Sequence, residues 1–381
     1  MMGHMLLVLL TCIALLLPVS ARGEGLDDQI ESVIDGIDFS GLEDIRIELP
    51  DTGRQLGVRD VVGMLASGES FSPEKVLSGV LRLLVQQAAR LGTLAISIMI
   101  PVIASSLVSV LGAEGKPTGA LGKSISLLIV LVPIIVCVIG ELEHVRRTIT
   151  LTTERMDRIL PLLLTLLTAV GGSASSAFLH PVVVAASGSM VYLARVVILR
   201  LVMCTCAVTT VNHLSDRAHL TRLVRLLRGA VGWLLGVSFT VFLGAMSVQG
   251  VCSASIDGVA IRAAKYAIDN FVPIVGGMFS DTMDTLVGCT LIVKNALGVT
   301  AMIVLAGAML MPLVRTFAVA VVMKLCAALL EPIAQAETIN AIEDFSGMIV
   351  LFLITMLCVC TMYFLLIVQL LLVGNLTVML R

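Results

Sequence analysis

The sequence predicts an all-α protein, a polytopic bundle of seven or eight transmembrane helices behind an N-terminal signal sequence and a small acidic segment. The chain has 381 residues with a mean hydropathy of +1.05, and only 14% of them are charged. A soluble domain has about 25% charged residues. Runs of roughly 20 apolar residues recur along the chain, and a helix of that length crosses a hydrocarbon core of about 30 Å.

The first 21 residues predict a signal peptide. Met5–Leu17 is an apolar core, and Val19-Ser20-Ala21 fits a small-x-small cleavage site. No Lys or Arg precedes the core, so an uncleaved membrane anchor is the alternative interpretation.

Residues 22–75 form a polar, acidic segment outside the membrane. Between Arg22 and Asp60 there are 11 acidic and 4 basic residues. Apolar residues still recur within this segment, which predicts short helices. Residues 76–90 follow as an amphipathic helix that carries Arg82 and Arg90.

Residues 91–381 are predicted to be the multi-pass domain, with a possible re-entrant segment at residues 271–280. The predicted spans, of which the seventh is short, are roughly 91–112, 121–140, 159–179, 182–208, 229–252, 286–311, 313–330 and 347–373.

Arginine and lysine in short loops predict orientation, because cytoplasmic loops carry an excess of both. Two predicted loops, at residues 141–158 and 215–228, each hold four arginines and are expected on the cytoplasmic side. The acidic loop Glu331–Asp344 is expected on the opposite side. The side of residues 22–90 stays open, because the signal peptide and the span count disagree.

The stretch from Arg262 to Gly298 is the most informative part of the chain, since charged residues recur there within apolar text. Ionisable groups at membrane depth are costly and usually face a bundle interior or a water-filled cavity. We therefore expect the charged residues of this stretch to line or brace a polar path, in particular Asp269, Asp281, Asp284 and Lys294. The alternative for Lys294 is that its amine snorkels to an interface.

Pro273, Gly276 and Gly277 interrupt the same stretch. Residues 271–280 are too few to cross a bilayer, and broken backbone at membrane depth needs protein or water around it. The pattern fits a re-entrant hairpin, as in the discontinuous helices of transporters. An ordinary connecting loop fits it equally well.

Arg222, Arg225 and Arg228 sweep one side of a predicted helix, with leucines and a valine opposite. This pattern is typical of an interfacial basic helix that contacts anionic lipid. Simple topology-determining charges explain it as well.

Catalytic and metal-binding signatures are lacking in the sequence. There is no HExxH, P-loop or GxGxxG motif, and the nine cysteines sit in apolar runs at spacings that suit neither zinc nor disulfides. We expect no enzymatic activity, no catalytic residue, no metal, no cofactor and no nucleic-acid partner.

The stretch Ala264–Gly298, AKYAIDNFVPIVGGMFSDTMDTLVGCTLIVKNALG, resembles the stage III sporulation protein AE family of endospore-forming bacteria. Phe242–Gly250, Asp257-Gly258 and the LLEP sequence at Leu329–Pro332 support the resemblance. The leader, the acidic segment and the multi-pass body match as well, so the resemblance covers nearly the whole chain.

The resemblance implies a role and no chemistry. It implies a membrane subunit of a channel or secretion-type complex between mother cell and forespore, in the mother-cell membrane around the forespore. The implied partners are other stage III membrane proteins, including an ATPase and a ring-forming subunit. A stand-alone secondary transporter and a membrane scaffold for assembly of the sporulation complex are the alternatives.

Overall fold

The computed structural model describes residues 46–48, 55–66, 92–107, 118–170, 173–214, 220–271 and 276–379. The predicted signal peptide, most of the acidic segment and the predicted amphipathic helix 76–90 lie outside these residues.

Long antiparallel helices form the body of the protein. The helices are α1 Val58–Ala66, α2 Gly92–Leu107, α3 Thr118–Ala169, α4 Ser173–Tyr192, α5 Leu199–Leu214, α6 Thr221–Phe271, α7 Gly276–Leu330 and α8 Ala336–Met379. A π-helical segment, Leu193–Ile198, joins α4 to α5 without a turn. Chain direction therefore alternates in the order α3, α4–α5, α6, α7 and α8.

Helix α8 is the core of the bundle, and α7, α3 and α6 are its main neighbours. In its most apolar window 78% of α8 is buried, compared with 22% for α6. Phe345, Phe352, Met356 and Ile367 on α8 are completely inaccessible to solvent. Since α8 is so apolar, the other helices enclose it along most of its length.

A small hairpin lies within the predicted acidic segment. Strands β1, Arg46–Glu48, and β2, Gln55–Gly57, pair antiparallel with Ile47 opposite Leu56. Helix α1 follows β2 directly and packs against α7. The helical prediction for this segment is right for α1 and missed the two strands.

The second and third predicted spans belong to one helix, α3. The charged stretch between them, residues 141–158, was predicted to be a loop and is helical. Val145, Ile149 and Met156 form an apolar stripe through this stretch, and all three are completely buried. Because the stripe continues the helical period, α3 does not turn back at its charges.

The sixth and seventh predicted spans are likewise one helix, α7, which continues through Pro312. In the part of the chain that the structure describes, five helices are long and apolar enough to cross a membrane, rather than seven or eight. The first predicted span corresponds to α2, Gly92–Leu107, a shorter apolar helix.

The fusion of these two spans reverses one topological expectation. Arg228 Nη1 lies 2.9 Å from Asp344 Oδ1, so the α5–α6 and α7–α8 junctions are at the same end of the bundle. The prediction that the segment Glu331–Asp344 lies opposite the arginines of residues 215–228 is therefore wrong. The prediction assumed that the chain reverses direction at Pro312, where α7 continues as one helix.

A buried acid near the middle of α3 ties this helix to the last third of α7. The carboxylate of Glu141, whose side chain is 4% exposed, accepts hydrogen bonds from Arg315 Nη2 at 3.2 Å and Thr316 Oγ1 at 3.1 Å. His144 Nδ1 lies 3.5 Å from Arg315 Nη1. A buried carboxylate needs such partners, because desolvation of an unpaired charge is costly.

Glu141→Ala should lower the free energy of unfolding by about 2 kcal/mol, because it removes the charged partner of Arg315 and leaves Thr316 unpaired. The measurement is thermal unfolding of the purified protein in detergent. The matched control is Glu143→Ala on the same helix, since the Glu143 side chain is 69% exposed. Equal melting temperatures for the two variants would contradict the assignment.

Candidate functional site

Lys294 is buried in the interior of the bundle. Its side chain has no solvent exposure, and its amine donates a hydrogen bond to the backbone carbonyl of Leu371 at 3.2 Å. An ammonium group has three donors. Within the described residues, Lys294 forms no ion pair and no other hydrogen bond, so an ionisable amine is enclosed here with one partner.

Two glycines make room for this arrangement. A Cβ atom at Gly374 of α8 would overlap the Lys294 amine, and a Cβ atom at Gly298 of α7 would overlap the Leu371 side chain. The long side chain of each helix thus lies over a glycine of the other. Helices α7 and α8 approach closely at this point because neither glycine carries a side chain.

Two amide side chains lie next in sequence to this contact. Asn295 Oδ1 and Asn375 Oδ1 are both buried and have no hydrogen-bond partner in the described part of the chain. Unpaired buried acceptors are uncommon in native structures. The segment around Lys294 therefore contains a buried amine that uses only one of its donors and two buried amide oxygens that accept no hydrogen bond.

The predicted acids flank this region along the chain. Asp269 lies near the end of α6, and Asp281 and Asp284 lie in the first turns of α7. Their side chains are outside the described part of the structure. On an ideal helix, Asp284 and Lys294 are about 15 Å apart along the axis, so they do not pair directly.

The predicted chain break is confined to a short connection. Helix α6 ends at Phe271, and α7 begins at Gly276, so Gly276 and Gly277 are the first residues of a helix. Pro273 lies in residues 272–275, outside the described residues. The re-entrant segment stays a prediction.

A second polar cluster, which sequence reasoning missed, joins α5, α6 and α8. Asp344 on α8 forms an ion pair with Arg228, whose Nη1 lies 2.9 Å from Asp344 Oδ1. His213 Nε2 lies 2.9 Å from the other carboxylate oxygen of Asp344. Arg228 Nη2 also donates to the Asp344 backbone carbonyl at 3.0 Å. This carboxylate holds three helix ends together.

The cluster borders a cavity of about 560 Å³. Charged groups of both signs and uncharged polar groups line the cavity, namely Asn212, His213, Thr221, Arg228, Lys324, Asn340, Glu343 and Asp344, together with Gly347. Such a lining is suited to water or a small polar solute. Its sequence signal was weak, because its members come from four helices and none forms a motif.

The predicted interfacial basic helix is the first two turns of α6. Arg222 and Arg225 are exposed, as an interfacial face requires, whereas Arg228 turns inward to Asp344. The three arginines therefore differ in their surroundings despite their common spacing. No group of three or more His, Cys, Asp or Glu side chains suited to a metal occurs among the described residues.

The long apolar helices and the polar clusters that they enclose define a helical membrane protein. The chain belongs to the stage III sporulation protein AE family, whose family model matches residues 56–374. A relative from Bacillus subtilis (strain 168), described as stage III sporulation protein AE, is 27% identical over 315 residues. The match covers 82% of this chain and 79% of the relative. No solved structure matches the chain.

Family membership implies a role in sporulation. The matched residues include α1, the long helices α3 to α7 and α8 as far as Gly374, and they contain Lys294 and the Arg228–Asp344 pair. The polar clusters thus lie inside the part of the chain that defines the family.

Gly374→Ala should lower the free energy of unfolding by about 2 kcal/mol, because the added methyl group overlaps the Lys294 amine. The measurement is thermal unfolding in detergent. The control is Gly307→Ala on α7, where a Cβ atom has open space and the substitution should be neutral or slightly stabilising. In a Lys294→Ala background the cost of Gly374→Ala should shrink, and an unchanged cost would contradict the close contact.

Arg228→Ala should destabilise the protein by about 1–3 kcal/mol, because the partly buried Asp344 loses its permanent cation. Arg225→Ala, about one turn away on the same helix and exposed, should change stability by less than about 0.5 kcal/mol. Denaturant unfolding of both variants checks this. A stable Arg228→Ala protein would show that the carboxylate cluster does not hold the helix ends.

Proposed function

We infer that this protein is a multi-pass membrane subunit of the channel or secretion-type complex between mother cell and forespore. It would reside in the mother-cell membrane that surrounds the forespore. Family membership supports the sporulation role, and the five long apolar helices support insertion in a membrane. The subunit would contribute structure and a polar environment, and no catalysis.

Lys294 is the observation that carries this proposal. A helix bundle that only spans a membrane gains nothing from a fully buried lysine with a single backbone partner, because desolvation of the amine is costly. Ionisable groups enclosed in this way commonly mark substrate or ion pathways. In the proposed role Lys294 braces a polar path to which Asp269, Asp281 and Asp284 contribute from the neighbouring helix ends.

The proposed partners are other stage III membrane proteins, including an ATPase and a ring-forming subunit. A subunit of this kind must contact its partners at the ends of the bundle or along its sides. The excess of acidic residues between Arg22 and Asp60 is a sequence feature suited to polar contact with such partners.

A secondary transporter that acts alone is the second candidate. The 560 Å³ cavity favours it, because groups of both signs meet there at the ends of four helices. The two candidates differ in what the purified protein does. A transporter moves a solute into liposomes under an ion gradient without partners, whereas a complex subunit does not.

Lys294→Met should reduce the yield of heat-resistant spores to a small fraction of that of the wild type, while protein level and membrane insertion stay normal. Plating after heat treatment measures the yield, and immunoblotting of membrane fractions measures the level. Arg146→Met is the control, since Arg146 is an exposed cation of α3 outside both polar clusters. Neutralising Asp281 and Asp284 together should have the same effect as Lys294→Met. A wild-type spore yield from the Lys294→Met strain would remove Lys294 from the proposed mechanism.

A further inference from the structure

The outer surface of α3 changes character at Glu141. Before this residue the exposed side chains are large and apolar, and the inner face is apolar too. The exposed set is Ile125, Leu128, Ile129, Val132, Val136 and Ile139, each at least 43% exposed. A helix that is apolar on all sides is suited to a lipid environment.

After Glu141 the exposed side chains of the same helix are mostly charged: Glu143, Arg146, Arg147, Glu154, Asp157 and Arg158. The inner face stays apolar, with Ile149, Met156 and Leu163 completely buried. This is the pattern of an amphipathic helix on the surface of a water-soluble protein. One continuous helix therefore carries two surface types, joined at Glu141.

On α7, Arg315 lies at the height of this boundary, because it pairs with Glu141. Beyond Arg315, towards the end of α7, the exposed large side chains are again apolar: Phe317, Val321, Leu325 and Leu329. Lys324 is the only charged residue between Arg315 and Glu331, and it lines the polar cavity. At 1.5 Å per residue, the apolar stretch between those two charges is about 24 Å tall.

This height is close to the hydrocarbon thickness of a bilayer, which is about 30 Å. Helix α3, with 52 residues, is about 78 Å long and cannot lie wholly within that layer. Lipid thus covers only part of it. The charges after Glu141 show which part lies outside.

On the α6 side the apolar surface is displaced along the bundle axis. It is free of charged residues from Gly229 to Ile256 and includes Trp233, Val241 and Val248, each at least 65% exposed. Arg228 pairs with Asp344, two residues before Ser346, whose hydroxyl donates to the Ala320 carbonyl of α7. The apolar surface of α6 therefore starts close to the Arg315 end of the apolar surface of α7. For lipid to cover both surfaces, the helices must be inclined to the membrane normal, as expected for helices longer than the bilayer is thick.

The geometry points to a bundle that is only half inserted: lipid acyl chains cover residues 125–139 of α3 and 317–330 at the end of α7, while the outer face of α3 from Glu143 to Arg158 stands in water. Glu141 and Arg315 mark the edge of the hydrocarbon. This placement rests on the membrane location proposed above and is independent of the channel role.

The placement also changes what encloses Lys294. Lys294 is 21 residues from Arg315 along α7, which is about 32 Å on the side away from the covered stretch. Protein, not lipid, therefore surrounds the buried amine. A polar path that uses Lys294 would continue through the bundle beyond the bilayer.

Tryptophan fluorescence in liposomes tests the placement, because Trp233 is the only tryptophan of the chain. In a Trp233→Phe background, Val132→Trp and Leu151→Trp place one probe on each side of Glu141, at two apolar positions that are 58% and 43% exposed. Lipids brominated on their acyl chains should quench Val132→Trp severalfold more strongly than Leu151→Trp. Acrylamide in the water phase should give the reverse order.

Val136→Trp and Glu154→Trp provide a second matched pair, and circular dichroism confirms that each variant is folded. Equal quenching of both members of a pair by the brominated lipids would overturn the placement. So would a Val132→Trp probe that these lipids do not reach, since another protein surface would then cover α3. Trp233 in the unmodified chain separates the two proposals: if brominated lipids quench neither Trp233 nor Val132→Trp, the membrane location itself is wrong.

Discussion

The enclosure of α8 is the constraint on which the rest of the structure depends. From Phe345 to Met379 this helix has no charged residue, so no part of that stretch is suited to contact with water. The helix has 44 residues and is about 66 Å long, roughly twice the thickness of a hydrocarbon core. Its neighbours must therefore extend beyond the bilayer and keep an apolar stripe throughout, whatever their outer surfaces contact. This requirement explains why α3 continues as a helix through its charged stretch and why α7 continues through Pro312.

Polar side chains inside the bundle bond mostly to helix backbone, and this fixes how the helices align. Lys294 donates to the Leu371 carbonyl, Ser346 donates to Ala320, and Gln369 donates to Met246. Apolar contacts alone are non-directional, so they specify that helices pack but only weakly specify their alignment. A hydrogen bond to one particular carbonyl selects one alignment. The few polar groups of this interior thus determine the pairing of α8 with α6 and α7.

The sequence predicted the helical membrane class and the family, because hydropathy and the stretch Ala264–Gly298 are strong local signals. It also identified Lys294 as exceptional but left its environment open, and only the packing of α7 on α8 shows that the amine is buried. Two pairs of predicted spans are each one helix, for a physical reason. Charges and prolines resemble loop signals, yet residues 141–158 stay helical because Val145, Ile149 and Met156 continue the buried stripe. The Arg228–Asp344–His213 cluster was not predictable, since long-range contacts leave no periodic trace in a single sequence.

The crossed packing of Lys294 over Gly374 and of Leu371 over Gly298 has a mechanical consequence. Each of these side chains fills the space above a glycine of the opposite helix. Neither helix can therefore translate along the other by even one residue unless the two helices first move apart. Any rearrangement of the bundle must move α7 and α8 together as one rigid unit.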